Sequence, residues 1–258
     1  MAVPAATAQI VDFPDLTAGE LEFYRREGYL PLPQLLAPDV TALLHDEVMA
    51  TMAAIGGWEQ SKLLQSSEYL AGGPLDRLVH DSRLNQLAAL LMEGPSSLYL
   101  PFTAVKGPQG GRFHFHQDNN YTRFDGPGIN IWFALRDMSP RNGCLQLVPR
   151  SHLAGTRESE QTPDRHRRIR IAESDFVPMR LRAGDAVAFS RLTIHGSGPN
   201  TSGEPRVGYA VQFHRDDVRY PDKQTGEPVL ITDRHPFAHT LTPVDAISVP
   251  TGRTDGTD

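Results

Sequence analysis

Arg112-Phe113-His114-Phe115-His116-Gln117-Asp118 is the stretch from which the rest of the chain can be read. Side chains alternate across a strand, so Phe113 and Phe115 are predicted on one face, with His114, His116 and Asp118 on the other. An imidazole and a carboxylate two residues apart on one strand face can grip the same ion. His-x-Asp joined by one distant histidine makes a two-histidine, one-carboxylate ligand set, which suits non-haem Fe(II). The motif alone is weak, and a second copy stands at His214-Arg215-Asp216.

The two copies differ in the sequence downstream of each. After the first, a strand-like run from Asp185 to Ser190 is entered by the turn Gly184-Asp185 and leads to His195, which Gly196-Ser197-Gly198-Pro199 closes. Arg206 then opens the strand Val207-Gly208-Tyr209-Ala210-Val211, where a guanidinium could fork onto a carboxylate reaching it from the ion. After the second copy come only His235 and His239, in a Pro-rich region with no strand to present them. The predicted metal set is therefore His116, Asp118 and His195.

Bulk properties bound the function classes. The 258 residues are 39% apolar and 22% charged, with no long apolar run and no signal-like beginning, so no membrane partner and a cytoplasmic location are expected. A net charge of −6 argues against nucleic acid as a partner. The single cysteine, Cys144, rules out an internal disulfide and fits a reducing compartment. A small-molecule substrate, handled by a monomer or homodimer, is the expectation that remains.

Along the chain, residues 1–15 read as a loose arm. Thr17-Ala18-Gly19-Glu20 fits a capping box for a helix through Arg26, stopped by Gly28. Tyr29–Leu32 reads as a brief strand, Pro38 to about Ala54 as a second helix, and Leu75–Met92 as a third. From Ser97 the pattern turns to strands: Leu98–Val105, the 112–118 stretch, the unbroken apolar run Ile129–Leu135, Gly143–Val148, Asp185–Ser190 and Val207–Phe213. Helices followed by strands predict an α+β domain over 16–248, its strands forming a barrel or two-sheet sandwich with the helices on one face. The charged segment 155–178, with Arg165, Arg167, Arg168 and Arg170, reads as a solvated excursion or a lid, and 249–258 as a disordered tail.

The ordered set His116-Gln117-Asp118, Trp132, Asn142-Gly143-Cys144-Leu145, Pro149-x-Ser151-His152, His195-x-Ser197 and Arg206 resembles the phytanoyl-CoA dioxygenase family, as does Phe23-Tyr24-Arg25-Arg26-Glu27-Gly28-Tyr29. The similarity runs from about residue 16 to about residue 215. It implies a double-stranded β-helix (a jelly-roll, cupin-like barrel) and an Fe(II)- and 2-oxoglutarate-dependent dioxygenase. Such an enzyme consumes dioxygen and releases succinate and CO2 as it hydroxylates a small molecule.

Residue by residue, the resemblance makes His116, Asp118 and His195 the iron ligands. Arg206 would bind the distal carboxylate of 2-oxoglutarate with Ser197 beside it, while Gln117 and Trp132 would line the cosubstrate pocket. Lys106 falls near a position where relatives carry a basic residue. Asn142-Gly143 and Ser151-His152 read as fold-shaping turns, and His114 as a barrel histidine on the cavity face. Related halogenases carry Gly or Ala in place of the carboxylate, so Asp118 favours hydroxylation. Desaturation, cyclisation or epoxidation at the same site, or a non-catalytic metal-binding barrel, are the alternatives.

Overall fold

The computed structural model describes residues 10–11, 15–55, 63–222, 224–231 and 240–241. The 249–258 tail, most of the N-terminal arm, and His235 and His239 lie outside the described residues. Where the arm is described, Ile10 and Val11 are buried rather than loose. Helix α1 spans Ala18–Glu27, with the expected capping box between Thr17 and Glu20 and Gly28 as its left-handed stop at φ 81°. Strand β1 (Tyr29–Leu32) and helix α2 (Pro38–Ala54) come next. Two short strands, β2 (Leu63–Leu64) and β3 (Tyr69–Leu70), succeed them.

The third helix predicted from sequence is two: α3 (Pro74–Val79) and α4 (Ser82–Met92). The Asp81 carboxylate accepts the Arg83 amide at 2.8 Å, capping a new helix instead of continuing the old one. Among the described residues no helix is long and apolar enough to cross a membrane.

The remaining chain is mostly strand. In order come β4 (Ser96–Lys106), β5 (Phe113–His116), the one-turn helix α5 (Asn119–Thr122), β6 (Gly128–Ala134) and β7 (Leu145–Leu147). The pair β8 (Glu160–Gln161) and β9 (Arg167–Arg168) forms a small hairpin. Then come β10 (Val177–Pro178), β11 (Ala186–Ser190), β12 (His195–Ser197) and β13 (Arg206–Arg215). One antiparallel sheet runs β1-β11-β6-β13-β4-β2, and a second runs β10-β7-β12-β5. The class is α+β, as expected, with two facing sheets.

Alternation along the larger sheet sorts its side chains into two cores. Ile129, Ile131, Phe133, Val207, Tyr209, Val211 and Phe213 pack with α2, α3 and α4. Their neighbours Trp132, Ala134, Ala210, Val187 and Phe189 turn the other way, onto Leu145 and Leu147 of the smaller sheet. This double burial explains the unbroken apolar run Ile129–Leu135: β6 has no solvent face and needs no polar alternation. Between the sheets, at the end where their facing residues turn polar, lie His116, Asp118 and His195.

Candidate metal centre

The smaller sheet delivers both histidines. In the β12–β5 ladder His195 stands opposite His116, but Ser197 stands opposite Phe113, so the ladder slips by one residue. This irregularity breaks the alternation expected of 112–118. Phe113 and His116 both line the cavity, whereas Phe115 packs outside with Ile169 and Ile194. His114, expected on the cavity face, is not among the residues lining it. Gly196 allows the close approach: a Cβ there would meet the Phe113 carbonyl at 2.9 Å and Phe115 Cα at 3.2 Å.

Asp118 does not sit on the strand. Its helical backbone (φ −55°, ψ −34°) begins the turn into α5, and this turn swings the carboxylate back toward the histidines. His116 Nδ1 lies 2.8 Å from the His114 carbonyl, and His195 Nδ1 lies 2.9 Å from the Thr193 carbonyl. A carbonyl only accepts, so each Nδ1 carries the proton and each Nε2 keeps its lone pair. Both Nε2 atoms face Asp118 Oδ1, at 4.0 Å from His116 and 3.5 Å from His195.

Burial, with His195 beside it, pushes His116 down to about 3, and burial pushes His195 down to about 4. Both rings are therefore neutral, the state a ligand requires. Burial raises the Asp118 carboxyl, opposed by His116, Arg191, Asn130 and Gln212. One oxygen and two imidazole nitrogens, all within 4.8 Å of one another, fit a divalent first-row ion. No other such group of three occurs among the described residues. At the second His-x-Asp copy, the Asp216 carboxylate accepts the Ser97 hydroxyl at 2.7 Å and His214 Nδ1 faces the Arg215 carbonyl.

Deeper between the sheets lies a cationic pair. Arg206 on β13 is the ladder partner of Lys106 on β4, and both side chains are fully buried. Arg206 Nη1 donates to the Gly143 carbonyl at 2.8 Å, while its Nε and Nη2 have no partner. Its guanidinium lies 5.2 Å over the Trp132 ring, whose Nε1 is also unpartnered. Lys106 Nζ donates to Ser197 Oγ at 2.7 Å and to the Gly198 carbonyl. Burial, reinforced by Arg206, lowers Lys106 to about 6, and burial lowers Arg206 to about 10. Unmade guanidinium donors next to a buried lysine amine form a pocket deficient in one carboxylate.

The sequence profile of the Phytanoyl-CoA dioxygenase (PhyH) family matches residues 24–208, a span holding the triad, Lys106 and Arg206. The chain belongs to the phytanoyl-CoA dioxygenase family. Among its relatives, methylphosphonate hydroxylase of Gimesia maris is 28% identical over 203 residues, covering 74% of this chain and 78% of the relative. L-proline trans-4-hydroxylase of Streptomyces griseoviridis is 29% identical over 262 residues, covering 86% and 94%. The crystal structure of EvdO2 from Micromonospora carbonacea, complexed with 2-oxoglutarate, shares the fold at a TM-score of 0.67 and 20% identity, covering 88% of this chain and 98% of EvdO2.

In this family member a cavity of about 440 Å³ joins the triad to Arg206, lined also by Tyr99, Phe102, Tyr121, Asn130, His166 and Gln212. Gln117, expected in the cosubstrate pocket, lies elsewhere. Its Nε2 donates to the Gly155 and Leu192 carbonyls, and its Oε1 accepts the Arg157 amide at 2.7 Å. Its amide is spent on tying the 155–157 backbone to that of Leu192.

The 155–178 segment is not free of apolar anchors. Ile169 is buried with Phe115 and Ile194, and its amide donates to the Phe115 carbonyl at 2.7 Å. His166 on the hairpin stacks edge-on against Phe113, so this segment supplies a wall of the cavity. Arg168 and Arg170 both pair with Glu160, leaving the expected arginine cluster partly neutralised.

Residues with no motif also contribute. Arg191 is buried against Phe124 and Gly128, where an added Cβ would collide with the Arg191 guanidinium. Its positive charge opposes the burial of the Asp118 carboxylate. Gly128 before an apolar strand was the one visible hint of it.

Proposed function

We propose that this chain is an Fe(II)- and 2-oxoglutarate-dependent dioxygenase that hydroxylates a C–H bond of a small molecule. The observation that carries the reading is the pairing of the triad with an Arg206 guanidinium that has two unpartnered nitrogens, in one cavity. Unlike Arg191, whose two open nitrogens lie away from the cavity, Arg206 lines it, where a cosubstrate carboxylate would satisfy them.

His116, Asp118 and His195 would hold Fe(II) through both Nε2 atoms and Asp118 Oδ1. Arg206 would fork onto the distal carboxylate of 2-oxoglutarate, joined by the Lys106 ammonium and the Ser197 hydroxyl, with the Trp132 indole N–H as a further donor. When bound, iron and 2-oxoglutarate supply the oxidising chemistry, consuming dioxygen and releasing succinate and CO2. No side chain need act as a nucleophile; the protein's part is ligand geometry, exclusion of water and placement of one C–H bond. In this reading the two sheets are the halves of a double-stranded β-helix.

The substrate would occupy the outer cavity between Phe113, His166, Tyr121 and Tyr99. Among the described lining residues, no carboxylate other than Asp118 is available to pair with a cation. The reacting portion of the substrate is therefore not cationic.

The test is release of succinate from 2-oxoglutarate in anaerobically reconstituted protein exposed to air, with and without candidate substrates. Iron-dependent turnover stimulated by a non-cationic small molecule, and lost in His195→Ala, is the expected result. No succinate under any condition, or full activity in His195→Ala, removes the reading.

A further inference from the structure

Asp118 reaches the histidines with one oxygen, and the reason lies on the opposite sheet. Gln212 Nε2 on β13 donates to Asp118 Oδ2 at 3.1 Å. Asn130 on β6 also favours the ionised form of Asp118, against the effect of burial. Gln212 and Asn130 are direct partners in the β13–β6 ladder, so their side chains leave neighbouring points of the same sheet face. A carboxylate can only accept, so Asn130 must present its Nδ2 to Asp118. The other end of that amide, Oδ1, is the atom found without a partner, which agrees with this orientation. Asn130 is only 2% exposed, and both carboxamides line the cavity.

Resting on the proposed metal reading, we propose that Gln212 and Asn130 are positioning residues for the metal carboxylate. Gln212 holds Asp118 Oδ2 and Asn130 steadies the carboxylate from the next strand, so that Oδ1 is the oxygen turned to His116 and His195. This places the orientation of the single acidic ligand under control of the larger sheet, while the smaller sheet fixes the two histidines through the His114 and Thr193 carbonyls. Asp118 needs such a restraint more than the histidines do. It lies in a turn beyond the end of β5, and no ladder hydrogen bond fixes its backbone. An unrestrained carboxylate could rotate both oxygens toward the ion and occupy a position that the cosubstrate requires.

Titration of metal-free protein with Co(II), followed by the visible absorption of the bound ion, tests this without turnover. Gln212→Met keeps the side-chain volume and removes the donor, and Asn130→Leu does the same on β6. Each is expected to weaken Co(II) binding roughly 10- to 100-fold, as for other partners of ligating carboxylates, and to alter the absorption bands through a changed carboxylate geometry. Thermal unfolding identifies variants that fold, and Gln212→Ala replaces Gln212→Met should that one not.

Folded variants with the wild-type Co(II) affinity and an identical spectrum overturn the inference. Wild-type protein that binds no Co(II) overturns the metal reading itself, and this inference with it. A purely packing role would lower the unfolding temperature while leaving the spectrum of the bound ion unchanged, and that outcome also rejects the proposal.

Discussion

Lys106 and Arg206 face each other across the β4–β13 ladder, both fully buried, and the groups that the pair bonds to are a hydroxyl and backbone carbonyls rather than a carboxylate. Two cations in one desolvated pocket repel, and burial together with Arg206 is what lowers Lys106 to about 6. A dicarboxylate entering the pocket reverses that balance.

This relation gives a pH dependence with a definite sign. Without ligand, Lys106 is neutral above about pH 6. A bound carboxylate favours the charged ammonium, so binding takes up a proton between that pH and the ordinary lysine range near about 10. Affinity for 2-oxoglutarate is therefore expected to be constant below the window and to fall as pH rises through it. Calorimetry at slightly alkaline pH, in buffers of different ionisation enthalpy, should register the uptake, and Lys106→Met should abolish it. Uptake that survives in Lys106→Met would place the titrating group elsewhere.

Arg206→Lys tests geometry against charge. The substitution keeps the cation but loses the planar fork. One charge-assisted hydrogen bond is worth on the order of 1.5–3 kcal/mol, which weakens 2-oxoglutarate roughly tenfold or more. Metal affinity should be unchanged, because Arg206 touches Gly143 and Trp132 and none of the triad. Equal cosubstrate affinity in wild type and Arg206→Ala would show that the carboxylate is held by other groups.

Gly143 couples this pocket to its surrounding turns. Its φ is +73°, and a Cβ there would lie 2.5 Å from the Gly198 carbonyl oxygen and 3.1 Å from Lys106 Cδ. The Gly198 carbonyl accepts from Lys106, and the Gly143 carbonyl accepts from Arg206. Gly143→Ala is expected to cost about 1–3 kcal/mol of stability through the left-handed backbone alone, and to weaken 2-oxoglutarate as the clamp shifts. Gly203, with nothing within 4 Å of its Cβ position, is the control: Gly203→Ala should leave both unfolding temperature and cosubstrate affinity close to wild type. Similar losses in the two variants would show that the effect is not specific to the clamp.

The parts of this site that were legible in the sequence are those set by local order. His-x-Asp leading to a strand, a Gly-bounded histidine and a strand-opening arginine can be read from residue types alone, and the helix caps at Thr17 and Gly28 likewise. The features that the sequence concealed depend on cross-strand partners. The slip that turns Phe113 inward and His114 away arises from β12 seating Gly196 against β5. Gln117 is next to His116 in sequence, yet its amide is captured by Gly155, Arg157 and Leu192 from distant loops. The ladder pairing of Lys106 with Arg206, and the meeting of Gln212 with Asp118 across the two sheets, are visible only in the fold.

The 155–178 segment gives the last prediction, because sequence and structure suggest different mobilities for it. A charge-dense loop with few apolar residues should open at low free-energy cost. The structure instead anchors one end of its hairpin, with Ile169 buried and its amide bonded to the Phe115 carbonyl. Arg168 and Arg170 sit on Glu160 at the surface, where such pairs contribute about 0–1 kcal/mol, so replacing both with Gln should scarcely change stability. Ile169 is thus expected to be the fixed point, with the tip near Arg165 opening first. Hydrogen exchange resolved by residue should show the Ile169 amide protected like the amides of β5 and β12, with Asp164 and Arg165 exchanging quickly. Ile169→Ala should release the hairpin, accelerating exchange across 160–169 while Co(II) affinity stays unchanged. Rapid exchange at Ile169 in the wild type would mean that the whole segment opens as a lid, with Phe115 and Ile194 transiently uncovered.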